Sequence, residues 1–156
     1  MSGTSTRPTQ EQLDRYAHQF NESQTLRFFG ARISFPEGQK VVVTIPELRP
    51  EHRGGLGSSA VNGGIIAAIF DLVIGSSPAL LDPTRRSATM QLSMSFERPL
   101  MGNSLRAEAE IDRGGQGTLF ATARMYDEHG NVCARCQGVV KRSNLRWASG
   151  ESPAVN

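Results

Sequence analysis

The segment "SSAVNGGIIAAIFDLVIGSS", residues 58–77, is almost wholly apolar after its two glycines, yet it carries one carboxylate, Asp71. Asn62 is a favoured residue for capping the start of a helix, so we predict that a helix begins directly after it. Apolar side chains then cover every side of this helix, which indicates burial in a core. We expect the helix to end at Gly75 or to continue to the residue before Pro78, which disfavours helical backbone.

The segments on both sides of this helix alternate apolar and polar residues, as β-strands do. Residues 26–35 and 40–46 predict a hairpin, preceded by a short helix that a Thr9–Gln12 capping box would start. Four strands joined by short turns follow the central helix and predict an antiparallel meander. The first of them is expected to turn these side chains to the core: Ala88, Met90, Leu92, Met94 and Phe96. Strands with one apolar face bury a helix by wrapping around it, so we predict an α+β fold of about six strands.

The composition of the 156-residue chain is that of one globular domain, because 38% of the residues are apolar and 21% are charged. We expect a single domain across residues 1–156, with flexible ends at 1–8 and 143–156. A net charge of only +2 makes no case for nucleic acid or a membrane surface as partner. No apolar run reaches the roughly 18 residues of a spanning helix. The N-terminus lacks the pattern of a signal peptide, so the cytoplasm is the expected location.

The two cysteines, Cys133 and Cys136, form a CxxC motif inside a predicted strand. A metal site would need further ligands, but the histidines His18, His52 and His129 are scattered along the sequence. Residues three apart in a strand point to opposite faces, so the two thiols could not bridge each other. We therefore predict structural cysteines and no metal site.

Asp71 is the unusual residue of the central helix, because burying an unpaired carboxylate is costly. Two interpretations are open: the side chain is exposed or satisfied by a backbone group or an arginine, or it is a catalytic carboxylate. Gly63 and Gly64 favour catalysis. They occupy the first turn, where backbone N–H groups lack helical partners and the helix dipole attracts an oxyanion. Without side chains they also admit a substrate close to the backbone.

The spacing of these residues has a consequence for assembly. Gly63 and Asp71 are eight residues apart, which is about 12 Å along one helix. One small reacting group therefore cannot contact both residues of the same chain. Two antiparallel helices related by a two-fold axis would bring each Asp71 near the glycines of the other copy. An enzyme built on these residues is thus predicted to be a homodimer with two sites at its interface.

The order of these features resembles a known family. Asn62-Gly63-Gly64 followed by Asp71 is similar to the His-Gly-Gly and acid of the hotdog-fold acyl-CoA thioesterases, in their PaaI-like (phenylacetic acid degradation) branch. Two later segments also resemble this family: "SMSFERP" at 93–99 and "EIDRGGQGTLFATARMYDEHGNVCARCQG" at 110–138. The resemblance spans roughly residues 26–141 and implies a hotdog fold, in which the sheet wraps around the central helix.

The resemblance implies hydrolysis of an acyl-CoA thioester to a free acid and CoA. Asp71 would serve as nucleophile or as general base on water, and the Gly63 N–H would polarise the thioester carbonyl from the other subunit. A hydroxyl on the following strand often helps to place the water in this family. Thr89 occupies that position, although strand periodicity puts it on the polar face. Coenzyme A would be part of the substrate, so no cofactor is expected.

One position departs from the family pattern, because Asn62 stands where the family has histidine. Asparagine can cap the helix and donate hydrogen bonds, but it cannot titrate. His52 in the preceding loop either substitutes for the missing histidine or is a surface residue. The expected substrate contacts are Gly64, Ile66 and Phe70 near the acyl thioester, and Arg98 and Arg113 for the phosphates of CoA, with Arg85 and Arg86 as further candidates.

The leading hypothesis is therefore an acyl-CoA thioesterase that forms a homodimer, with a dimer of dimers as the larger assembly. The alternative is a non-catalytic acyl-CoA binding protein of the same fold, which the missing histidine favours. A hydratase on this scaffold would need a histidine–acid pair, and no histidine lies near the helix start.

Overall fold

The computed structural model describes residues 6–115 and 117–147 of the protein. Short 3-10 helices lie at Pro36–Gly38, Pro50–His52 and Ser77–Leu80. The longer elements follow in chain order: α1 (Gln10–Asn21), α2 (Gln24–Phe29), β1 (Arg32–Ser34), β2 (Val41–Ile45), α3 (Gly63–Gly75), β3 (Arg85–Phe96), β4 (Leu105–Gly114), β5 (Thr118–Asp127) and β6 (Val132–Arg146).

The central helix α3 begins where the sequence predicts it. The Asn62 side chain accepts a hydrogen bond of 2.7 Å from the Gly64 N–H and so caps the first turn. The helix ends at Gly75, and Pro78 lies in the 3-10 helix that follows. Burial of each large apolar side chain contributes about 2 kcal/mol, so the face turned to the sheet holds the helix in place. That face consists of Ile66, Ile69, Phe70, Val73 and Ile74.

The opposite face of α3 is open in the protomer, so the prediction of a helix buried on every side is wrong for the single chain. Residues three and four apart fall on the same side of a helix, and here they form one continuous stripe. Its members are exposed or half-buried: Gly64, Ala67, Ala68, Asp71, Leu72 and Gly75. Asp71 is thus exposed on this stripe, as the first of the two sequence interpretations allows.

The six strands form one antiparallel sheet in the order β1-β2-β4-β5-β6-β3. The predicted meander is confirmed for β4, β5 and β6, but β3 pairs with β6 and not with β4. The cause is the connection 97–104, which carries the chain past the start of α3 to β2. Its buried Leu100 accepts a hydrogen bond of 2.9 Å from the Val61 N–H, and Asn103 accepts one of 2.7 Å from the Leu48 N–H. Strand β4 therefore begins beside β2, and β3 remains at the sheet edge.

The N-terminal part contains a helix that the sequence did not predict. Helix α1 begins at the expected capping box of Thr9 and Gln12. Helix α2 then replaces the first half of the predicted strand 26–35, because the Ser23 side chain caps its start and Gly30, at a φ of 63°, ends it. Strand β1 is only three residues long. The predicted alternation of buried and exposed side chains in and around β1 is nevertheless found, since Ala31, Ile33 and Phe35 are buried.

A β-bulge at Met90 divides β3 into two parts with different parity. Thr89 lies opposite Val140 and Gln91 lies opposite Val139, so Met90 is an extra residue, and its side chain is 64% exposed. A bulge of this kind shifts the alternation of all side chains on one side of it. The predictions for Ala88 and Met90 on the core face and for Thr89 on the polar face are therefore wrong, and Thr89 points towards α3.

The end of the described chain belongs to the last strand. Strand β6 extends to Arg146, so residues 143–146 belong to the sheet, and the Trp147 N–H donates to the Thr84 carbonyl at 3.0 Å. The other residues of the two predicted flexible ends, apart from 6–8, lie outside the described residues. Cys133 and Cys136 are both free thiols, and both are buried.

The stretch Gly63–Leu80 has the length and the mean hydropathy, 1.7, of a membrane-spanning helix, which the sequence analysis did not expect. More than half of it, 56%, is buried inside the fold. The core helix of a globular protein has the same properties, and α3 is that helix here. The cytoplasmic location stays a prediction.

Close packing at Gly138 gives a test of how tightly α3 sits against the sheet. A Cβ added at this glycine would lie 2.5 Å from Cγ2 of Ile74, which is much closer than two carbon atoms can approach. We expect Gly138→Ala to lower the free energy of unfolding by about 1–3 kcal/mol, measured by chemical denaturation. The loss should be smaller than additive when it is combined with Ile74→Ala. Gly55→Ala is the control, because no described atom lies within 4 Å of a Cβ there; equal losses at both glycines would contradict this account.

Candidate active site

The carboxylate of Asp71 lies at a pocket of about 370 Å³ between α1, α3 and β3. Three elements that are distant in sequence therefore supply its walls. Hydroxyl groups and aromatic rings line this pocket together with the carboxylate, among them Tyr16, Phe20, Ser76, Ser87, Thr89 and Trp147. Such a pocket can hold water and one end of a small apolar group next to the acid.

Gly75 makes room for the Thr89 hydroxyl in the pocket of the acid. A Cβ at Gly75 would lie 2.8 Å from Oγ1 of Thr89 and 3.9 Å from Oδ1 of Asp71, so only a glycine leaves room for the hydroxyl. The neighbouring Ser87 hydroxyl donates to the Gly75 carbonyl at 3.0 Å and ties β3 to this turn of the helix. The bulge at Met90 and the missing side chain of Gly75 together place a hydroxyl in the same pocket as the acid.

Tyr16 and Ser76 form another part of the wall, and sequence reasoning did not select either of them. Burial raises the pKa of Tyr16, and its side-chain hydrogen bond with Ser76 offsets this only in part. The phenol is therefore protonated and able to donate a hydrogen bond at neutral pH. In the sequence, Tyr16 is only one residue on the apolar face of α1, so no local signal marks it as part of a site.

The start of α3 offers one unused backbone donor. Asn62 engages three N–H groups: its side chain accepts from Gly64 at 2.7 Å, and its carbonyl accepts from Ile65 at 3.0 Å and Ile66 at 3.1 Å. Within the described part of the chain, no acceptor pairs with the Gly63 N–H. An exposed N–H at the positive end of a helix dipole suits an oxyanion, and here that donor belongs to Gly63 and not to Gly64.

Residues 49–140, more than half of the chain, match the family model described as the acyl-CoA thioesterase C-terminal domain. The chain belongs to this family. The match includes the capped start of α3, the exposed acid and the whole of β3, whereas Tyr16, Phe20 and Trp147 of the pocket lie outside it. The predicted thioesterase family is thereby confirmed. No curated protein matches the sequence.

Solved structures show the same fold. The E. coli PaaI protein from the phenylacetic acid degradation operon is 18% identical and has a TM-score of 0.77, over 89% of this chain and 99% of that one. A thioesterase from Haemophilus influenzae is 16% identical, with a TM-score of 0.74 over 85% and 91% of the two chains. A thioesterase family protein from Silicibacter pomeroyi is 20% identical, with a TM-score of 0.72 over 84% and 97%. At these identities the likeness establishes the fold, and the predicted hotdog fold is confirmed.

His52 does not replace the histidine that this acyl-CoA thioesterase family member lacks at Asn62. The ring is buried, with 2% exposed. Its Nδ1 accepts from the Arg49 N–H at 2.9 Å, so its Nε2 carries the proton and donates to the Phe29 carbonyl at 2.8 Å. Both nitrogens are therefore used to pin the loop against α2, and neither sequence interpretation of His52 as a substitute or as a surface residue is correct.

The predicted substrate contacts are dispersed in the protomer. Ile66 and Phe70 lie in the core, 4% and 0% exposed, because their side of α3 faces the sheet. Arg98 follows the end of β3, whereas Arg113 lies near the end of β4 with its guanidinium 4.5 Å from the ring centroid of Phe120. The structure does not bring these side chains together at Asp71. Across residues 6–115 and 117–147, no group of His, Cys, Asp and Glu side chains is arranged to hold a metal ion.

The thiol of Cys136 provides a pH test of this region. Burial raises its pKa from 9.0 to about 11; a backbone hydrogen bond with Ser93 lowers it, and the charge of Asp71 raises it further. The folded pKa is thus above the unfolded one, so the stability from the protonated thiol is complete below pH 9 and is lost towards pH 11. We expect the melting temperature to fall across this range and to fall less in Cys136→Ala. An identical pH profile for the two proteins would contradict the assignment.

Proposed function

We propose that the protein hydrolyses acyl-CoA thioesters to a free acid and CoA, at sites that two protomers share. The observation that carries this proposal is the exposed carboxylate of Asp71 in one pocket with the Thr89 hydroxyl, on the same helix as the Gly63 N–H, which no described acceptor pairs. Membership of the acyl-CoA thioesterase C-terminal domain family supports the reaction class. A carboxylate, a hydroxyl and a helix-start N–H are the groups that such a hydrolysis needs.

The reaction balances with these groups alone. Asp71 removes a proton from a water molecule that Thr89 helps to hold, and the water oxygen attacks the thioester carbonyl carbon. The carbonyl oxygen becomes an oxyanion, which the Gly63 N–H stabilises. When the C–S bond breaks, the proton passes from Asp71 to the departing thiolate of CoA. The hydroxyl in the same pocket supports this general-base route over direct attack by Asp71, because it can hold the attacking water.

The donor and the acid come from different protomers in this proposal. Gly63 and Asp71 are separated by about 12 Å along α3, which is too far for one thioester group to contact both. The open stripe of α3 lies beside β3, an edge strand that exposes Met90 and Phe96. An edge strand next to an open helix face is a surface that a second copy of the chain can cover. A two-fold axis there places each Asp71 near the other protomer's Gly63.

The alternative function is acyl-CoA binding without hydrolysis. The capping role of Asn62 favours it, because the start of α3 then has no titratable side chain. A binding protein would be stabilised thermally by acyl-CoA and would release no thiol. A thioesterase releases thiol continuously as substrate is consumed, so one thiol assay separates the two functions.

Removing the acid is the direct test of the proposal. In a panel of acyl-CoAs of increasing chain length and with aromatic groups, we expect thiol release by the wild type. Asp71→Asn should lower kcat by at least about 100-fold, because the general base is lost. Asp112→Asn is the matched control, since this exposed carboxylate bonds, among the described residues, only to Thr122 on the neighbouring strand. A wild type that turns over no member of the panel, or an Asp71→Asn variant with full activity, would refute hydrolysis at this site.

The oxyanion donor can be removed without breaking the helix. Gly63 is the first residue of α3, where proline is well tolerated, and Asn62 has the extended backbone that precedes proline, with ψ of 136°. We expect Gly63→Pro to lower kcat by about 100-fold or more, because its backbone has no N–H. Gly63→Ala keeps the N–H and should retain most of the activity. Equal activities of these two variants would contradict the role of the N–H.

Mixing two inactive variants tests whether the site is shared. A dimer of one Asp71→Asn chain and one Gly63→Pro chain contains one site with an intact acid and an intact donor. Unfolded and refolded together, the two variants should recover about a quarter of the wild-type activity, because half of the dimers are mixed and each has one working site. No recovery would place both groups in the same protomer.

A further inference from the structure

The aromatic ring of Phe96, at the end of β3, lies against the first residue of α3. Apart from the helix backbone and its chain neighbours, a Cβ added at Gly63 would have only this ring within 4 Å among the described atoms. The ring carbons Cε1 and Cζ would lie at 3.5 Å and 3.9 Å from it. That Cβ position and the Gly63 N–H belong to the same Cα, so the ring flanks the amide that the proposed function assigns to the oxyanion.

Backbone hydrogen bonds hold both sides of this contact in place. One residue after the ring, the Glu97 N–H donates to the Cys133 carbonyl on β6 at 2.9 Å. Two residues before the helix, the Val61 N–H donates to the Leu100 carbonyl at 2.9 Å. The end of β3 and the start of α3 are therefore tied through the connection 97–104, and the ring keeps its place beside the amide.

The ring is nevertheless not part of the core. Phe96 is 56% exposed, whereas Leu92 and Met94, which share its side of β3, pack against the core. Burial of a phenylalanine side chain contributes about 2 kcal/mol, and most of this contribution is lost at so exposed a position. Folding of the protomer therefore gives little reason for a large apolar ring here. A role in the assembled site explains it better.

The rim of the ring, not its face, is turned to the amide. Only Cε1 and Cζ come within 4 Å of the added Cβ at Gly63, and the other ring carbons are farther away. The rim of a phenyl ring carries the positive part of its quadrupole, and the face carries the negative part. A hydrocarbon ring also has no acceptor that could compete for the N–H. It displaces water, which strengthens a hydrogen bond from that N–H to a negative oxygen.

We infer that Phe96 is a positioning residue of the oxyanion site and acts through the Gly63 N–H of its own protomer. This inference rests on the proposed function, which supplies the oxyanion. The ring keeps water from one side of the N–H and turns its positive rim towards the thioester oxygen as that oxygen becomes negative. This stabilisation is larger in the transition state than in the bound substrate, so it appears in kcat and not in KM.

Replacement of the ring tests this role by kinetics. We expect Phe96→Ala to lower kcat about three- to tenfold and to leave KM nearly unchanged, as loss of an aromatic contact made in the transition state does. Phe96→Leu keeps apolar bulk without the positive rim and should lie between Phe96→Ala and wild type. Phe28→Ala is the matched control, since this phenylalanine on α2 is 76% exposed. An unchanged kcat in Phe96→Ala, or an equal loss in Phe28→Ala, would overturn the inference.

The mixed dimer separates action on the amide from a contact between protomers. In a dimer of one Asp71→Asn chain and one Gly63→Pro chain, the working site takes its donor from the Asp71→Asn chain. Phe96→Ala in that chain should lower the recovered activity by the same factor as in the homodimer. In the Gly63→Pro chain it should change nothing, because the amide there is already missing. A contact across a two-fold axis would be equally important in both chains, so equal losses would overturn the inference.

Binding without turnover separates this inference from the proposed function. The probes are the members of the acyl-CoA panel, added to the Asp71→Asn protein labelled with ¹⁵N-glycine. We expect the amide proton resonance of Gly63 to move downfield on binding, and to move less on binding when Phe96→Ala is added. Such a result for a protein whose wild type releases no thiol would refute hydrolysis alone and leave the role of Phe96 assigned. An equal movement in both proteins, or none with any member of the panel, would overturn the inference.

Discussion

Close approach of α3 to the sheet at two glycines is the constraint on which the rest of the structure depends. At Gly138 the sheet backbone meets the side chain of Ile74, and at Gly75 the helix backbone meets the hydroxyl of Thr89. Any side chain at either position would push the helix away from the strands. How closely α3 packs against the sheet therefore depends on the lack of side chains at Gly75 and Gly138 as well as on the apolar face that the helix buries. That packing distance fixes the height of the Asp71 carboxylate relative to β3.

Under the proposed function, the helix start has two roles that compete for the same groups. A cap must engage N–H groups to stabilise the helix, whereas an oxyanion site must leave at least one of them unused. Asn62 resolves this competition, since it engages Gly64, Ile65 and Ile66 and leaves the Gly63 N–H open. A histidine at this position would bring a titratable ring, but the cap requires only a short acceptor. The departure from the family pattern is thus compatible with both an intact helix and a free donor.

The periodicity of apolar residues predicted the architecture, because burial of one face of a helix or strand imposes that periodicity directly. The apolar run after Asn62 and the alternating segments are local patterns, and the helix and the strands that they predict are present in the structure, apart from the parity of β3 before Met90. The first strand was predicted too long, because Phe28 and Phe29 fit a strand as well as a helix, and only the cap at Ser23 and the turn at Gly30 decide between them. The pairing of β3 with β6 depends on a connection that packs far from its own sequence neighbours. The pattern of residues within one segment cannot predict contacts between segments that are distant in the sequence.

The candidate site was predictable only along the helix itself. Asp71 and Gly63 were selected because a charge in an apolar run and a pair of glycines are anomalies of sequence. Tyr16 and Ser76 are ordinary in their own segments and join the pocket of the acid only through the elements that pack around them. Gly75 was read as a helix end, but its second task is to make room for Thr89.

The extra residue at Met90 also bears on how such a chain changes over generations. The bulge decides to which side of the sheet each side chain before it in β3 points. The side chains of Leu92 and Met94, which follow the bulge, do not depend on it in this way. Deletion of one codon at this point would rotate Ser87 and Thr89 away from the helix and leave the remainder of the strand undisturbed. Relatives with and without the bulge would differ by a single gap, yet they would present alternate residues to the acid. Comparing them by residue count alone would then equate side chains on opposite faces of the sheet.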